Sequence, residues 1–158
     1  DFRHLVERYQ REAVAHASAI LGNRGDAPDA VQDAFLAAFQ ALPGFDPTRP
    51  FYPWFYTILR HRCFRLLAGR RGGLPLEGAG PILAPSPGGR DADGETLELA
   101  LRALDPEDRE LITLKHLDGI GYAEIAGRLG IPAGTVMSRL FHARKRLARH
   151  LALSRRTS

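Results

Sequence analysis

The spacing of apolar and polar residues predicts three helices in the first half of the chain. Apolar positions between Leu5 and Ile20 recur about once per helical turn, which predicts a first helix that ends near Gly22. Asp26 and Pro28 are typical of a helix start and predict a second helix. The predicted core face of this second helix consists of Val31, Ala34, Phe35, Ala38, Phe39 and Leu42.

A third helix is predicted after a loop that is rich in proline and aromatic residues. The loop covers residues 45–53, and the helix is expected to start near Pro53-Trp54. The predicted inner face of this helix consists of Phe55, Ile58, Leu59, Arg62 and Leu66. Because no segment alternates apolar and polar residues with a period of two, we expect an all-α fold.

The second half of the chain predicts further helices, and a tight turn joins the last two. A short helix is expected over 96–103 and a longer one over 105–119. Two more follow, over 122–129 and from about Ala133, with a break at 130–132. A short helix, a glycine-containing turn and a second helix make a helix-turn-helix. The expected packing partners of the two helices are Ile125, Ala126, Leu129, Val136, Leu140 and Ala143.

Residues 72–95 separate two predicted domains, 1–71 and 96–158. This stretch is rich in glycine and proline and cannot bury enough apolar surface to fold alone, so we expect a flexible linker. It carries four acidic residues against one arginine, whereas the stretches 60–71 and 139–158 contain no acidic residue. Two basic blocks around an acidic spacer indicate either two contacts with one polyanion or two solvated helix faces.

The composition limits the kinds of chemistry that the chain can perform. Cys63 is the only cysteine, which excludes an internal disulfide and a multi-cysteine zinc site. The histidines form no cluster with ligand spacing, so we expect neither metal nor other cofactor. We find no nucleophile–base pair and no phosphate-binding glycine loop, and we expect no enzyme activity. The absence of a signal peptide or of a long apolar run predicts a cytoplasmic protein.

The last helix has the polarity of a DNA-contacting helix. Thr135, Ser138 and Arg139 are expected to point outward near its start, followed by His142 and Lys145. Short polar and basic side chains at this position can bond base edges in the major groove, and the later cations can meet phosphates. The alternative is a helical hairpin with a solvated basic face.

Six stretches resemble sigma factors of the extracytoplasmic-function (ECF) group. The three in the second half resemble region four, which recognises the minus-35 promoter element: 104–111 (LDPEDREL), 121–126 (GYAEIA) and 134–144 (GTVMSRLFHAR). The three in the first half resemble region two, which binds the polymerase clamp and opens the minus-10 element: 20–23 (ILGN), 26–35 (DAPDAVQDAF) and 54–58 (WFYTI). The resemblance implies two helical domains and a role as a promoter-specificity subunit of core RNA polymerase.

An acidic face of the second helix is the predicted site of polymerase binding. An acidic, amide-bearing face in a basic domain favours a protein partner over DNA, although an ordinary solvated face would look the same. The resemblance implies that the partner is the clamp coiled coil of the largest polymerase subunit, with the polymerase flap region as a second contact and an anti-sigma factor as a regulator. The residues assigned to core polymerase are Asp29, Gln32, Asp33, Leu36 and Gln40.

Two sets of residues are assigned to promoter DNA. Aromatic rings beside arginines suit an unpaired strand, because rings stack on bases and guanidinium groups hold the backbone. Not all aromatic residues between Phe45 and Tyr56 can do this, and most of them, Trp54 especially, are expected in the core of a three-helix domain. The residues assigned to the minus-10 strand are Phe45, Asp46, Phe51, Trp54, Thr57, Arg60, His61 and Arg65. Those assigned to the minus-35 duplex are Thr135, Ser138, Arg139, Phe141, His142, Lys145 and Arg146.

Three positions depart from the pattern that is common in the group. His61 stands where asparagine is common, Arg65 where aspartate is common, and Met137 where lysine or arginine is frequent. Two other functions stay open on the residues alone. One is a free-standing helix-turn-helix regulator that needs no polymerase, and the other is a small helical enzyme that uses Asp29, Asp33 or a histidine.

Overall fold

A computed structural model describes residues 1–70, 81–83 and 92–157, with side chains up to residue 154. In these ranges all regular elements are helical and no strand occurs, which confirms the predicted all-α class. The chain divides into two compact units, Asp1–Gly80 and Pro81–Ser158. No helix in the described ranges is long and apolar enough to cross a membrane.

Unit 1 consists of α1 (Phe2–Leu21), α2 (Ala27–Ala41) and α3 (Phe51–Gly69), which pack pairwise against one another. α1 ends at Gly22, whose φ of 81° places it in the left-handed region that glycine adopts without strain. The sequence position of Asp26 suggested that it caps α2, but its side chain makes no capping hydrogen bond. Its carboxylate instead accepts a hydrogen bond from Arg70 at 3.1 Å, which joins the start of α2 to the end of α3.

The core of unit 1 is built from stacked aromatic rings. Phe35 of α2 stacks on Phe55 of α3 with 4.3 Å between ring centroids, and Phe51 stacks on Phe55 at 5.6 Å. Phe55 is completely buried, but Phe39, which the apolar pattern assigned to the core, is 56% exposed. That prediction is wrong: Phe39 contacts the ring of Phe2, with 5.2 Å between centroids, but more than half of its surface is left uncovered.

α3 begins at Phe51, earlier than the position near Pro53-Trp54 that the prolines suggested. Pro53 lies in the first turn, where its missing N–H costs no helical hydrogen bond. Tyr52 is buried, and its hydroxyl lies 2.6 Å from Nδ1 of His16 on α1. The aromatic side chains at the start of α3 therefore belong largely to the core.

Unit 2 contains α4 (Ala92–Ala103), α5 (Pro106–Ile112), α6 (Tyr122–Leu129) and α7 (Ala133–Thr157). The longer helix predicted over 105–119 is not continuous, because α5 passes into a π-helical turn, Thr113–Leu117. α7 packs on α4, α5 and α6 and organises the unit. The core of unit 2 is fully or almost fully buried and includes Leu101, Leu114, Ile125, Val136, Leu140 and Ala143.

The ordered part of unit 2 includes residues that the sequence assigned to the linker. α4 begins at Ala92, and Ile82 is buried. The backbone N–H groups of Ile82 and Leu83 both donate to the carboxylate of Glu98 on α4. Residues 72–80 and 84–91 of the predicted linker lie outside the described residues.

Arg109 holds the junction between α4 and α5. Its guanidinium donates to the carbonyl of Leu104 at 2.6 Å, which satisfies a backbone acceptor where α4 ends. Burial lowers the pKa of Arg109 to about 10, so the group stays protonated at neutral pH. The hydrogen bond is therefore charge-assisted and fixes the first helices of unit 2.

Candidate nucleic-acid and protein interfaces

The five side chains assigned to core polymerase lie together on the exposed face of α2. Asp29, Gln32, Asp33, Leu36 and Gln40 are all exposed, and Leu36 is an apolar side chain that is 57% exposed. A groove of about 540 Å³ runs between α1 and α2 beside them, and Leu36 and Phe39 line it together with Phe2, Val6 and Pro28. An apolar groove with an acidic rim on a surface helix suits a protein partner.

The sequence analysis missed part of this surface. Phe39 and Phe2 belong to it, although the apolar period placed Phe39 in the core, and Leu66 of α3 extends it beside Asp33. Asp33 is also fixed to unit 1, since its carboxylate accepts a hydrogen bond from Arg62 of α3 at 3.3 Å. The exposed face of α2 is thus held in place by α3.

The structure separates the aromatic residues assigned to the minus-10 strand into a buried ring and an accessible pair. Phe51 is only 9% exposed and packs against Phe55, so it is not available to stack on a base, and its assignment to the strand is wrong. Phe45 and Trp54 are half-buried, with ring centroids 4.6 Å apart, at the surface end of the loop. These two rings remain the candidates for base stacking.

Asp46 organises the loop that carries Phe45. Its carboxylate accepts hydrogen bonds from the hydroxyl of Thr48 at 2.7 Å and from the N–H of Thr48 at 3.0 Å. These hydrogen bonds, together with the charge of Arg49, lower the pKa of Asp46, so it is ionised at neutral pH. Its first role is to close this turn.

Polar residues assigned to the strand line one side of α3. Thr57, His61 and Arg65 are exposed and follow one another at intervals of one helical turn. The hydroxyl of Thr57 donates to the carbonyl of Trp54 at 2.7 Å, and the guanidinium of Arg60 lies 4.6 Å from the ring of Phe64. We call Thr57, His61 and Arg65 the cationic strip of α3; it starts about one turn after Trp54 and ends at Arg65, about 16 Å along the helix axis from Trp54.

The helix-turn-helix prediction is confirmed by α6, α7 and the turn between them. Gly130 ends α6 with a φ of 67°, a conformation in which a side chain would be strained. Ile125 of α6 and Val136, Leu140 and Ala143 of α7 are completely buried between the helices. On the opposite side of α7, the exposed residues assigned to the duplex are Ser138, Arg139, Phe141, His142 and Lys145, with Thr135 half-buried beside them.

Arg146 differs from the rest of that set because its side chain, although exposed, is paired with a residue of α5. Its guanidinium donates two hydrogen bonds to the carboxylate of Asp108 on α5, at 2.6 and 3.0 Å. A bidentate pair of this kind fixes the side chain in one orientation. We therefore reassign Arg146 from the DNA contacts to the packing of α7 on α5.

A cationic cluster that the sequence analysis did not find lies where the π-helical turn meets α6 and α7. Nε of Arg144 donates to Nε2 of His116 at 2.8 Å, and Nζ of Lys115 lies 4.3 Å from the ring centroid of Tyr122. Partial burial and the charges of Arg144 and Lys115 lower the pKa of His116, which keeps the ring neutral and able to accept this hydrogen bond. No sequence period links residues 115 and 144.

The residues described by the structure contain no group of three or more His, Cys, Asp or Glu side chains that could hold a metal ion. Asp29 and Asp33, which one alternative assigned to an enzyme, lie on an exposed helix face with Gln32 and Leu66 as neighbours. The lone Cys63 is buried in unit 1.

Both halves of the chain match known protein families. Residues 5–72 match the profile described as Sigma-70 region 2, and residues 94–147 match the one described as Sigma-70, region 4. The ECF RNA polymerase sigma-E factor of Escherichia coli is 34% identical over 159 residues, which cover 91% of this chain and 83% of that protein. The sigma-E factor of Haemophilus influenzae is 32% identical over 162 residues, covering 91% of this chain and 84% of that protein.

Two solved structures are similar over almost the whole chain. The sigma factor RpoE in complex with the anti-sigma factor NepR, from Bartonella quintana, matches with a TM-score of 0.78 and 25% identity, covering 96% of this chain and 97% of that one. CnrH in complex with the cytosolic domain of CnrY matches with a TM-score of 0.65 and 30% identity, covering 96% of this chain and 88% of that one.

Proposed function

This chain belongs to the ECF group of the sigma-70 family, whose members direct core RNA polymerase to promoters, and we propose how its two units share that task. Unit 1 carries the polymerase-docking face and the strand-capturing strip, and unit 2 carries the duplex-contacting helix. We assign residues 1–71 to the first role and unit 2 to the second; unit 2 includes residues 81–83 and 92–95, which the sequence assigned to the linker. One observation carries the proposal: α2 exposes an acidic face beside an apolar groove, whereas the exposed faces of α3 and α7 carry cationic side chains.

The exposed face of α2 is the proposed docking site for the clamp coiled coil of the polymerase. Leu36 and Phe39 offer apolar contact area that the rest of unit 1 does not cover, and Asp29 and Asp33 provide a charged rim. Interfaces commonly combine an apolar centre with a polar edge in this way. The Arg62–Asp33 pair favours the same conclusion, because a fixed carboxylate loses less side-chain entropy on binding.

The proposed contact with the minus-35 duplex is the exposed face of α7. The first turns of α7 present Thr135, Ser138 and Arg139, which can donate to base edges in a major groove. Lys145 lies further along the same helix, with its ammonium group 4.5 Å from the ring of Phe141, and is the proposed phosphate contact. The two-helix core behind this face keeps its side chains in a fixed register.

Removal of the guanidinium of Arg139 tests the proposed duplex contact. We expect Arg139→Ala to weaken discrimination between the preferred upstream element and a mismatched one by about 1–3 kcal/mol, with core polymerase binding unchanged. Holoenzyme binding to paired and mismatched promoter fragments measures the effect. Arg149→Ala, an equal change at an exposed residue further along α7, is the control and should keep full discrimination.

The proposed contact with the melted minus-10 strand combines the Phe45–Trp54 pair with the cationic strip of α3. The two rings are half-buried, and His61 and Arg65 are exposed further along α3. Base stacking contributes on the order of 1–3 kcal/mol per base, which helps to hold an unpaired strand. His61 and Arg65 are the residues of this strip that depart from the common family pattern.

Loss of the cation at Arg65 should weaken the strand contact in a salt-dependent way. For Arg65→Ala we expect the slope of log affinity against log salt concentration to fall by about 0.7, the value for one phosphate contact in a single strand. The measurement is holoenzyme binding to a promoter fragment with an unpaired minus-10 region at several salt concentrations. The control is Arg11→Ala, which changes an exposed residue of α1 and should leave the slope unchanged. An equal decrease of the slope in both variants would contradict the assignment.

Co-purification with core polymerase, followed by promoter-dependent transcription, tests the whole proposal. A sigma factor binds core before it recognises a promoter, whereas a free-standing regulator binds duplex DNA without polymerase. Tight, specific binding of the isolated chain to DNA without any affinity for core would therefore favour the regulator. In this scheme the chain performs no chemistry itself, since the polymerase forms the RNA bonds.

Two further partners and two locations complete the proposal. The similar structure with an anti-sigma factor bound supports regulation of this chain by such a factor. The polymerase flap region is the proposed partner of unit 2. The acidic linker is proposed to follow the RNA-exit path, where acidic side chains resemble nucleic acid, except for residues 81–83 and 92–95, which belong to unit 2. A subunit that works on chromosomal promoters acts in the cytoplasm, and we place this chain there.

A further inference from the structure

Two large apolar side chains stand exposed on the DNA-facing side of α7. Met137 is 50% exposed and Phe141 is 52% exposed. They lie four residues apart, so their side chains occupy neighbouring turns of the same helix face. We call this pair the apolar stripe. Neither side chain is required by the helix-turn-helix core, which Val136, Leu140 and Ala143 fill on the other side of α7.

The surroundings of the apolar stripe point to DNA rather than to a protein. Ser138 and His142 are exposed on one flank of it, and the ammonium group of Lys145 lies 4.5 Å from the ring of Phe141. Hydrogen-bond donors and a cation thus border the stripe on this flank, whereas the centres of protein interfaces are depleted of charge. The stripe also begins in the early turns of α7, from which base edges are reached in a major groove.

A major groove offers an exposed apolar side chain one chemically matching partner. The C5-methyl group of thymine is the apolar feature of the base edges there, and the other groups are hydrogen-bond donors and acceptors. A thioether or a phenyl ring placed on such a polar edge would remove it from water without compensation. Met137 is unbranched and flexible, which lets it settle onto a methyl group.

We propose that Met137 and Phe141 recognise thymine methyl groups in the upstream promoter element, so that the apolar stripe sets part of the promoter preference of this chain. This inference rests on the proposed contact between α7 and the minus-35 duplex and adds the base that is recognised. Met137 is the specificity-determining residue, because a methionine here cannot donate the hydrogen bonds that a lysine or an arginine would offer to guanine.

Replacement of single thymines by deoxyuridine tests the proposal, because it removes the methyl group and leaves the base pair intact. The holoenzyme first selects a preferred promoter from fragments with a randomised upstream element. Each thymine of the selected element is then replaced in turn, and holoenzyme binding is measured. At one or two positions we expect about fourfold weaker binding, the value for one buried methyl-sized group.

The variant Met137→Ala should abolish this methyl dependence at one of those positions, so that thymine and deoxyuridine bind equally well. Phe141→Ala should do the same at a neighbouring position. The control is Leu99→Ala, which removes a similarly exposed apolar side chain, 58% exposed, from α4 and should retain the full penalty. Equal binding of thymine and deoxyuridine by the unchanged protein at all positions would overturn the proposal, as would an undiminished penalty in both stripe variants.

The outcomes separate this inference from the proposed function on which it rests. If the holoenzyme selects no upstream element, and Arg139→Ala has no effect, the assignment of α7 to the duplex fails as a whole. If selection occurs and depends on Arg139 but no methyl dependence is found, only the recognition of thymine by the apolar stripe is wrong.

Discussion

The substitution Leu36→Asp should abolish stable binding of this sigma factor to core RNA polymerase. Leu36 is 57% exposed on α2 and lines the groove beside Phe39, so the change replaces an apolar contact with a charge that docking would bury. Central interface residues of this kind cost 2 kcal/mol or more when truncated, and a buried unpaired charge adds to that loss. We expect a decrease in affinity on the order of a hundredfold or more, measured by titration of labelled chain with core polymerase.

The matched control for this experiment is Leu99→Asp. Leu99 is 58% exposed on α4 of unit 2, so the same change is made at the same level of exposure on the other unit. The control should bind core polymerase with nearly the affinity of the unchanged protein. Intact docking by Leu36→Asp, with normal helix content, would refute the assignment of α2 to the polymerase.

The substitution Phe55→Ala should unfold unit 1 at physiological temperature. Phe55 is completely buried and stacks with the rings of Phe35 and Phe51, and removal of such a side chain costs about 3–5 kcal/mol because a cavity remains. A three-helix unit of this size has a small core and little stability in reserve. The expected result is loss of the cooperative thermal unfolding of unit 1 in the full chain.

Phe39→Ala separates a change of stability from a change of docking. The ring of Phe39 is 56% exposed, so its removal should cost less than about 1 kcal/mol of folding free energy while it weakens binding to core. Unfolding followed by circular dichroism distinguishes the two variants. Similar melting curves for Phe55→Ala and the unchanged protein would contradict the core assigned to unit 1.

The sequence predicted those helix bounds that depend on neighbouring residues in the chain. The bounds of α6 and the start of α7 follow from Gly130 and from the apolar period, and both were predicted from the sequence. The apolar period failed at Phe39, which it placed in the core although the side chain is exposed. The period of an amphipathic helix tells which face is apolar, but the length over which a neighbour covers that face depends on tertiary packing.

The candidate sites show the same division between local and long-range information. The exposure of Arg139 and Ser138 was predicted correctly, because their position in the helix-turn-helix determines their direction. The partner of Arg146 was not, since Asp108 lies on another helix and nothing in the sequence links the two. Phe51 was misassigned because an aromatic residue in a loop and one in the first turn of a helix look alike before the bounds of α3 are known.

The π-helical turn before α6 has a consequence for how members of this family can diverge by insertion and deletion. In it the N–H of Asp118 bonds to the carbonyl of Thr113, five residues back, instead of the four of an α-helix. The turn therefore behaves as a helix that has accommodated one additional residue. Deletion of a single residue there should remove that additional residue and restore ordinary helical spacing, leaving the register of α6 and α7 unchanged. The same deletion inside α7, which has no such turn to absorb it, should rotate the residues that follow by about 100° and move them off the face that packs on α6.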